Sequence, residues 1–185
     1  MPGTAREAPT AGFGVHCQCE RGSRMQDAYL TTYLNDHLGM SVAGIELTRR
    51  CLSNNREGDL GKFLAHLLLV LEENHVLVRK LLKRLGAKES EVKKLGGWVL
   101  EKAGRLKLNN ALFRYSDLAR VIELETLVAG LQAQASMWTV LASSRSGDPR
   151  LDGIDFEEVR NRAEQMLEEA RRYHLCAAAF AFTKK

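Results

Sequence analysis

The sequence predicts an all-α protein folded as an antiparallel helical bundle, and three observations carry that prediction. Leu, Ala, Glu, Lys and Arg dominate the composition, with only three prolines and 6% aromatic residues, which suits helices better than sheets. Apolar residues recur at three- and four-residue spacing over four long stretches. Polar, turn-forming links separate those stretches. A chain of 185 residues that is 45% hydrophobic carries enough apolar surface for one core.

Helix 1 opens at Ser23-Arg24-Met25-Gln26, a capping-box pattern in which Ser23 and Gln26 satisfy each other's backbone donors. Leu30, Leu34, Leu38, Ser41, Ile45 and Leu52 follow on one face. Ser53 to Gly58 reads as a turn, with Asp59 as the N-cap of helix 2. Helix 2 lines up Leu60, Leu64, Leu67, Leu71, Val78, Leu82 and Leu85, and Gly86 stops it. Residues 90–106 read as a short basic helix softened by Gly96, Gly97 and Gly104. Ser116 caps helix 3, whose Leu118, Val121, Ile122, Leu124, Leu127, Val128 and Leu131 surround it almost completely. That pattern predicts the most buried helix of the set. After a polar turn over residues 143–152, Asp155 and Glu158 form a capping box for helix 4, with Ile154 stapling onto Val159.

Four amphipathic helices hide their apolar stripes only against one another, so a bundle is the expected architecture. The short helix between helices 2 and 3 implies a long crossover that leaves those two helices parallel. The expected fold is therefore a ferritin-like four-helix bundle with a short extra helix in the helix 2–3 crossover. Residues 1–22 lack periodicity and read as a loosely ordered leader, with residues 23–185 forming the bundle domain. Met25 stands where the pattern begins and is an alternative start of the native chain.

A formal charge of +4 and a pI near 8.9 are too mild to demand a nucleic-acid partner. A basic belt from Arg79 to Lys107 offers a weak anionic contact, but Glu89, Glu91 and Glu101 interrupt it. The longest apolar run, Phe63 to Leu71, is broken by His66 and is too short to cross a bilayer. Cys17, Cys19, Cys51 and Cys176 form no disulfide framework, so a reducing, cytoplasmic setting is expected.

The histidines are the candidate chemistry. His37 lies on the apolar stripe of helix 1 and His75 on that of helix 2, and a hairpin about residues 55–57 brings them to similar heights. Glu72 and His75 form a Glu-x-x-His pair, the spacing that di-metal carboxylate bundles use twice. The candidate metal set is therefore His37, Glu72, His75 and Glu125, with iron or manganese as the matching ion. His174 also faces inward on helix 4, but Arg171 stands where a second glutamate belongs. The plainer reading makes His37 and His75 core residues hydrogen-bonded to each other, a carbonyl or a carboxylate. Arg120 and Glu123, three apart, read as an ion pair. His16-Cys17-Gln18-Cys19 holds soft ligands without a second pair, and Trp98 and Trp138 read as packing residues.

From Tyr33-Leu34-Asn35-Asp36-His37-Leu38 through Gly44-Ile45-Glu46-Leu47-Thr48-Arg49-Arg50, the chain resembles an uncharacterised bacterial family with a ferritin-like bundle. Lys102 to Asn109 and Leu124-Glu125-Thr126-Leu127 add to the likeness, which spans about residues 26–182. The resemblance implies the fold and no defined activity. Active ferritin-like relatives oxidise or store iron through two Glu-x-x-His copies, a pattern from which helix 4 departs. The expectation is a non-catalytic binding or assembly protein without a cofactor that forms a homo-oligomer such as a dimer. The alternative is a metal-dependent oxidoreductase or iron-handling protein.

Overall fold

The computed structural model describes residues 23–87, 115–144 and 148–183, apart from the side chains of residues 23–26 and 144. Among these, four α-helices and one 3₁₀ turn make up the regular structure, with no strand: α1 (Ser23–Asn54), α2 (Gly58–Arg84), α3 (Asp117–Ser144), the turn Pro149–Leu151, and α4 (Phe156–Phe182). The expected leader and the expected short helix at 90–106 lie outside the described residues. So do the Ser23 and Gln26 side chains of the first capping box.

Each helix boundary has a local cause. Gly86, at φ +75°, ends α2 as expected: its N–H bonds to Lys83 O at 3.1 Å and that of Ala87 to Leu82 O at 3.0 Å, the paired bonds of a Schellman motif. Ser116 caps α3 by accepting from Ala119 N at 3.1 Å, and Asp155 caps α4 by accepting from Glu158 N at 3.0 Å. Ile154 and Val159 are both buried beside that cap. Helix 2 differs from expectation. Its N-cap is Glu57, which makes no side-chain capping bond, and Asp59 stands in the first turn. The positive φ of Gly58, +72°, lets the chain reverse two residues earlier than the Asp59 cap requires. Asp59 then faces the positive end of the helix dipole.

The apolar stripes meet as expected on α1, α2 and α4. Leu34, Leu64, Leu67, Leu82, Trp138 and Phe156 are among the fully buried side chains. The expectation that α3 is the most buried helix is corrected: Leu118, Ile122 and Val140 remain exposed. A helix in a square bundle touches two neighbours, and its outer quarter meets solvent whatever residues it carries.

In the square, α1 packs on α2 and α3, while α4 packs on α3 and α2, and the α3–α4 contact is the longest. Side-chain links fix the directions. Asn55, just past the end of α1, meets Tyr115 and Arg120 at the start of α3, whereas Asp27 near the start of α1 binds Arg150 beyond the end of α3. Tyr173 near the end of α4 donates to Asp59 O at the start of α2 at 3.2 Å. Every neighbouring pair is therefore antiparallel, and the diagonal pair α2 and α3 is parallel. Ala87 and Tyr115 consequently stand at opposite ends of the bundle. One end holds the α1–α2 turn. At the other, Arg150 grips Asp27 and Asp148, each at 2.7 Å, while Arg84 Nη1 donates to Asp152 O at 2.9 Å.

The α1–α2 turn folds tightly over Gly61, where an added Cβ would stand 2.5 Å from Arg56 O. Gly44, inside α1, has nothing within 4 Å of that position. Gly61→Ala is expected to destabilise the protein by about 1–3 kcal/mol through overpacking. Gly44→Ala is expected to stabilise it by about 0.5–1 kcal/mol through helix propensity. Urea denaturation of both variants checks the pair, and the same sign for both contradicts this account of the turn.

Candidate functional site

The four metal candidates occupy separate environments. His75 Nδ1 lies 2.7 Å from Ser41 Oγ, and the same hydroxyl donates to Leu38 O at 2.7 Å. A hydroxyl has one proton, so Nδ1 carries the hydrogen of the Ser41–His75 bond. His37 packs edge-on against the ring of Tyr33, centroids 4.6 Å apart. Glu72 accepts from Arg49 Nη2 at 2.6 Å on an exposed flank, and Glu125 is exposed on α3. Among the described residues no group of three or more His, Cys, Asp or Glu is arranged to hold a metal ion. His174 is part-exposed on α4, and His16, Cys17 and Cys19 lie outside the described residues. Of the basic belt, Arg79, Lys80, Lys83 and Arg84 are described and exposed. Arg84 is committed to the carbonyls that close the far end of the bundle.

The densest polar arrangement lies instead at the α1–α2 turn end, where α1 finishes beside the start of α3. Asn55 is its hub. Its Nδ2 donates to Cys51 O at 2.8 Å and to Tyr115 Oη at 2.6 Å, and its Oδ1 accepts from Arg120 Nε at 2.7 Å. A carbonyl only accepts and a guanidinium only donates, so these partners fix which way the amide points. Burial pushes the Tyr115 hydroxyl up to about 12, against the lowering effect of Asn55. Burial, reinforced by the nearby Glu123 carboxylate, pushes the Cys51 thiol up to about 12. Cys51 is therefore a buried, protonated packing residue, not a nucleophile.

The expected Arg120–Glu123 pair is corrected. Glu123, only 5% exposed, turns toward α1 and meets Arg50 Nε at 2.8 Å, while its other oxygen, Oε2, has no hydrogen-bond partner. Arg120 reaches past it to Asn55 and holds Asp117 with Nη1 at 3.3 Å. An i,i+3 spacing makes two side chains neighbours without making them partners, and a cross-helix carboxamide is the nearer acceptor here.

Beside this hub opens a cleft of about 600 Å³. Arg56, Glu57 and Arg120 supply its charge, and Leu60, Tyr173, Ala177 and Phe180 its apolar wall. Cys176 also lines it. Tyr173 is held in place by stacking on Phe63, centroids 4.9 Å apart. A second groove of about 640 Å³ runs between α3 and α4. Its one cation, Arg171, already reaches Gln132 at 2.7 Å and Glu168 at 3.6 Å. Sequence reasoning missed the first cleft because its residues come from three helix ends. The one available signal was an Asn-Asn-Arg-Glu turn close to a helix end rich in aromatic residues.

Burial holds the His75 imidazole below its ordinary 6.5, helped by Arg79, and holds His37 below 6.5 against the pull of Asp36. The unfolded chain therefore takes up protons that the folded chain refuses. Stability from these groups is complete above pH 6.5 and drains away as pH falls through the depressed folded values. The melting temperature is expected to drop as pH falls below 6.5. His75→Asn, which keeps a donor toward Ser41, is expected to reduce that slope. Equal slopes in both proteins rule out His75 as a contributor.

No family model matches the chain, and neither a curated protein nor a solved structure shows significant similarity to it.

Proposed function

We propose that this chain is a ferritin-like helical bundle that works by binding, holding an amphiphilic anion in the cleft at the α1–α2 turn end. The parallel run of α2 and α3 supports the ferritin-like reading, since that class differs from a simple up-down bundle by one long crossover.

The observation that carries the binding reading is the state of Arg120. Asn55 and Asp117 grip its Nε and Nη1, and its guanidinium lies 5.8 Å from the centre of the Tyr115 ring. Nη2 has no partner among the described residues. A cation pinned in advance loses little side-chain entropy on meeting an anion, which favours binding. Arg56 adds a second positive charge against one from Glu57. The wall of Leu60, Tyr173, Ala177 and Phe180 then receives a hydrocarbon body, in a volume typical of small-molecule sites. A carboxylate on an alkyl chain has the matching chemistry.

Decanoate is the probe, with decanol and decylamine as controls for chain and charge. Decanoate is expected to raise the melting temperature saturably, decanol to do so weakly and decylamine not at all. Arg120→Ala removes a charge-assisted contact worth about 1.5–3 kcal/mol, so calorimetric affinity for decanoate is expected to fall about 10- to 100-fold. Phe180→Ala is expected to weaken decanoate and decanol alike. No stabilisation by decanoate, or equal affinity in Arg120→Ala and the wild-type chain, overturns the reading.

A further inference from the structure

The outer face of α3 carries exposed apolar side chains along a stretch almost without charge; Leu69 and Val76 on α2 and Leu175, Phe180 and Phe182 on α4 are exposed as well. From Thr126 to Ser144 the sequence contains no charged residue, and α3 directs Arg120 and Glu123 toward α1 and its end. Leu118 is 52% exposed, Ile122 53% and Val140 45%. They lie on one side of the helix with exposed Thr126, Ala129 and Ser136 between them. The corresponding side of α4 is charged, with Glu157, Glu158, Glu164, Glu168 and Arg171 exposed.

We infer that this face is a homodimer interface and that its partner is α3 of a second copy, packed antiparallel about a two-fold axis at Ala129. Three features favour a second copy over an unrelated protein. The first is shape. A two-fold axis at Ala129 places Leu118 opposite Val140 and Ile122 opposite Ser136, so the bulky half of each helix covers the slender half of the other. An isologous interface demands this self-complementarity of one patch.

The second feature is charge. Glu125 is the only charged side chain on the face between Leu118 and Val140, and it falls opposite Ala133. The two copies of Glu125 stand eight residues apart along the paired helices, about 12 Å at 1.5 Å per residue. That separation exceeds the screening length of about 8 Å at physiological salt. A partner recognised through charge finds only this one carboxylate here, whereas a second copy lays each Glu125 against the uncharged Ala133.

The third is area. The stretch from 118 to 140 is about 33 Å long, and the outward half of a helix 10–12 Å across is about 15 Å round. Each copy therefore offers about 500 Å², and two copies reach the total of about 1,000 Å² that a specific interface requires. That total is at the lower limit, so the dimer forms in a concentration-dependent way.

Sedimentation across about 1–100 µM tests the interface on the full chain. The wild-type protein is expected to move from 20.7 kDa toward twice that mass. Ile122→Glu is expected to raise the dissociation constant at least tenfold, while Leu175→Glu, at a still more exposed apolar site on α4, leaves it unchanged. Disulfide trapping tests the axis in a background where Cys17, Cys19 and Cys176 are replaced by Ser. Ala129→Cys is expected to form a covalent dimer on mild oxidation. Leu118→Cys links to Val140→Cys in a mixture of the two variants and not to itself. A monomer at every concentration overturns the inference, as does a dimer that Ile122→Glu leaves intact. Self-linking of Leu118→Cys overturns the antiparallel axis. Decanoate binding uses other residues, so its success or failure is read separately.

Discussion

The carboxamide of Asn55 fixes how the two halves of this bundle meet. α1 and α2 are joined by a short turn, α3 and α4 share the most extensive contact, and each pair has its own reason to close as a hairpin. The relation between the hairpins is set across the α1–α3 contact, and Asn55 joins both sides of it. Its amide satisfies a carbonyl at the end of α1, a tyrosine before α3 and an arginine in the first turn of α3. Only one register of the two helices meets all three demands, and a buried amide left unmet costs about 1–3 kcal/mol. Given that register, Arg50 falls beside Glu123 and Asp27 beside Arg150, and α2 runs parallel to α3.

The same contact concentrates polar atoms that have no partner. Asn35 Oδ1 on α1, with Glu123 Oε2, Gln134 Oε1 and Trp138 Nε1 on α3, are all buried and unbonded. Asn35 and Trp138 fall at the same height if the Arg50–Glu123 register is carried along the helices. By contrast, α3 and α4 pack through Leu127, Leu131, Met166, Leu167 and Ala170, all apolar and buried. Apolar packing thus holds each hairpin together, and polar registration relates one hairpin to the other. An apolar seam tolerates a one-turn slip at modest cost, whereas displaced polar groups lose their partners outright. Cys51 shows the balance: it is a thiol buried beside Glu123, kept protonated and inert by the dryness that makes the register strict.

Much of the fold was legible because it is written locally. Gly86, Ser116 and Asp155 announce helix ends through backbone chemistry confined to a few neighbouring residues, and the stripes of α1, α2 and α4 follow from period alone. The exceptions share a cause. Glu72 and His75 have metal-binding spacing, and that spacing says nothing of the contacts that Arg49 and Ser41 bring from α1. Arg120 and Glu123 have ion-pair spacing, yet each finds a cross-helix partner. The cleft draws on residues 53–60, 120 and 173–180, which no window along the chain brings together. Period also overstated the burial of α3, because an apolar outer face and an apolar inner face look alike in sequence and differ only in what lies opposite.

The proposed cleft and the inferred dimer face both draw on α3, and its geometry keeps them apart. Arg120 points toward the end of α1, while Ile122, two residues on, points away from the bundle, as a turn of about 200° over two residues requires. Within the antiparallel dimer the two copies of Arg120 stand on opposite sides of Ala129, eighteen residues apart along the paired axes, about 27 Å at 1.5 Å per residue. Each cleft is then built from one chain alone and opens at its own end of the assembly. Filling one would leave the contacts of the other unchanged, so the two proposals together have a dimer binding two anions independently. Any coupling between them has to pass along α3 itself, through the register that Asn55 holds.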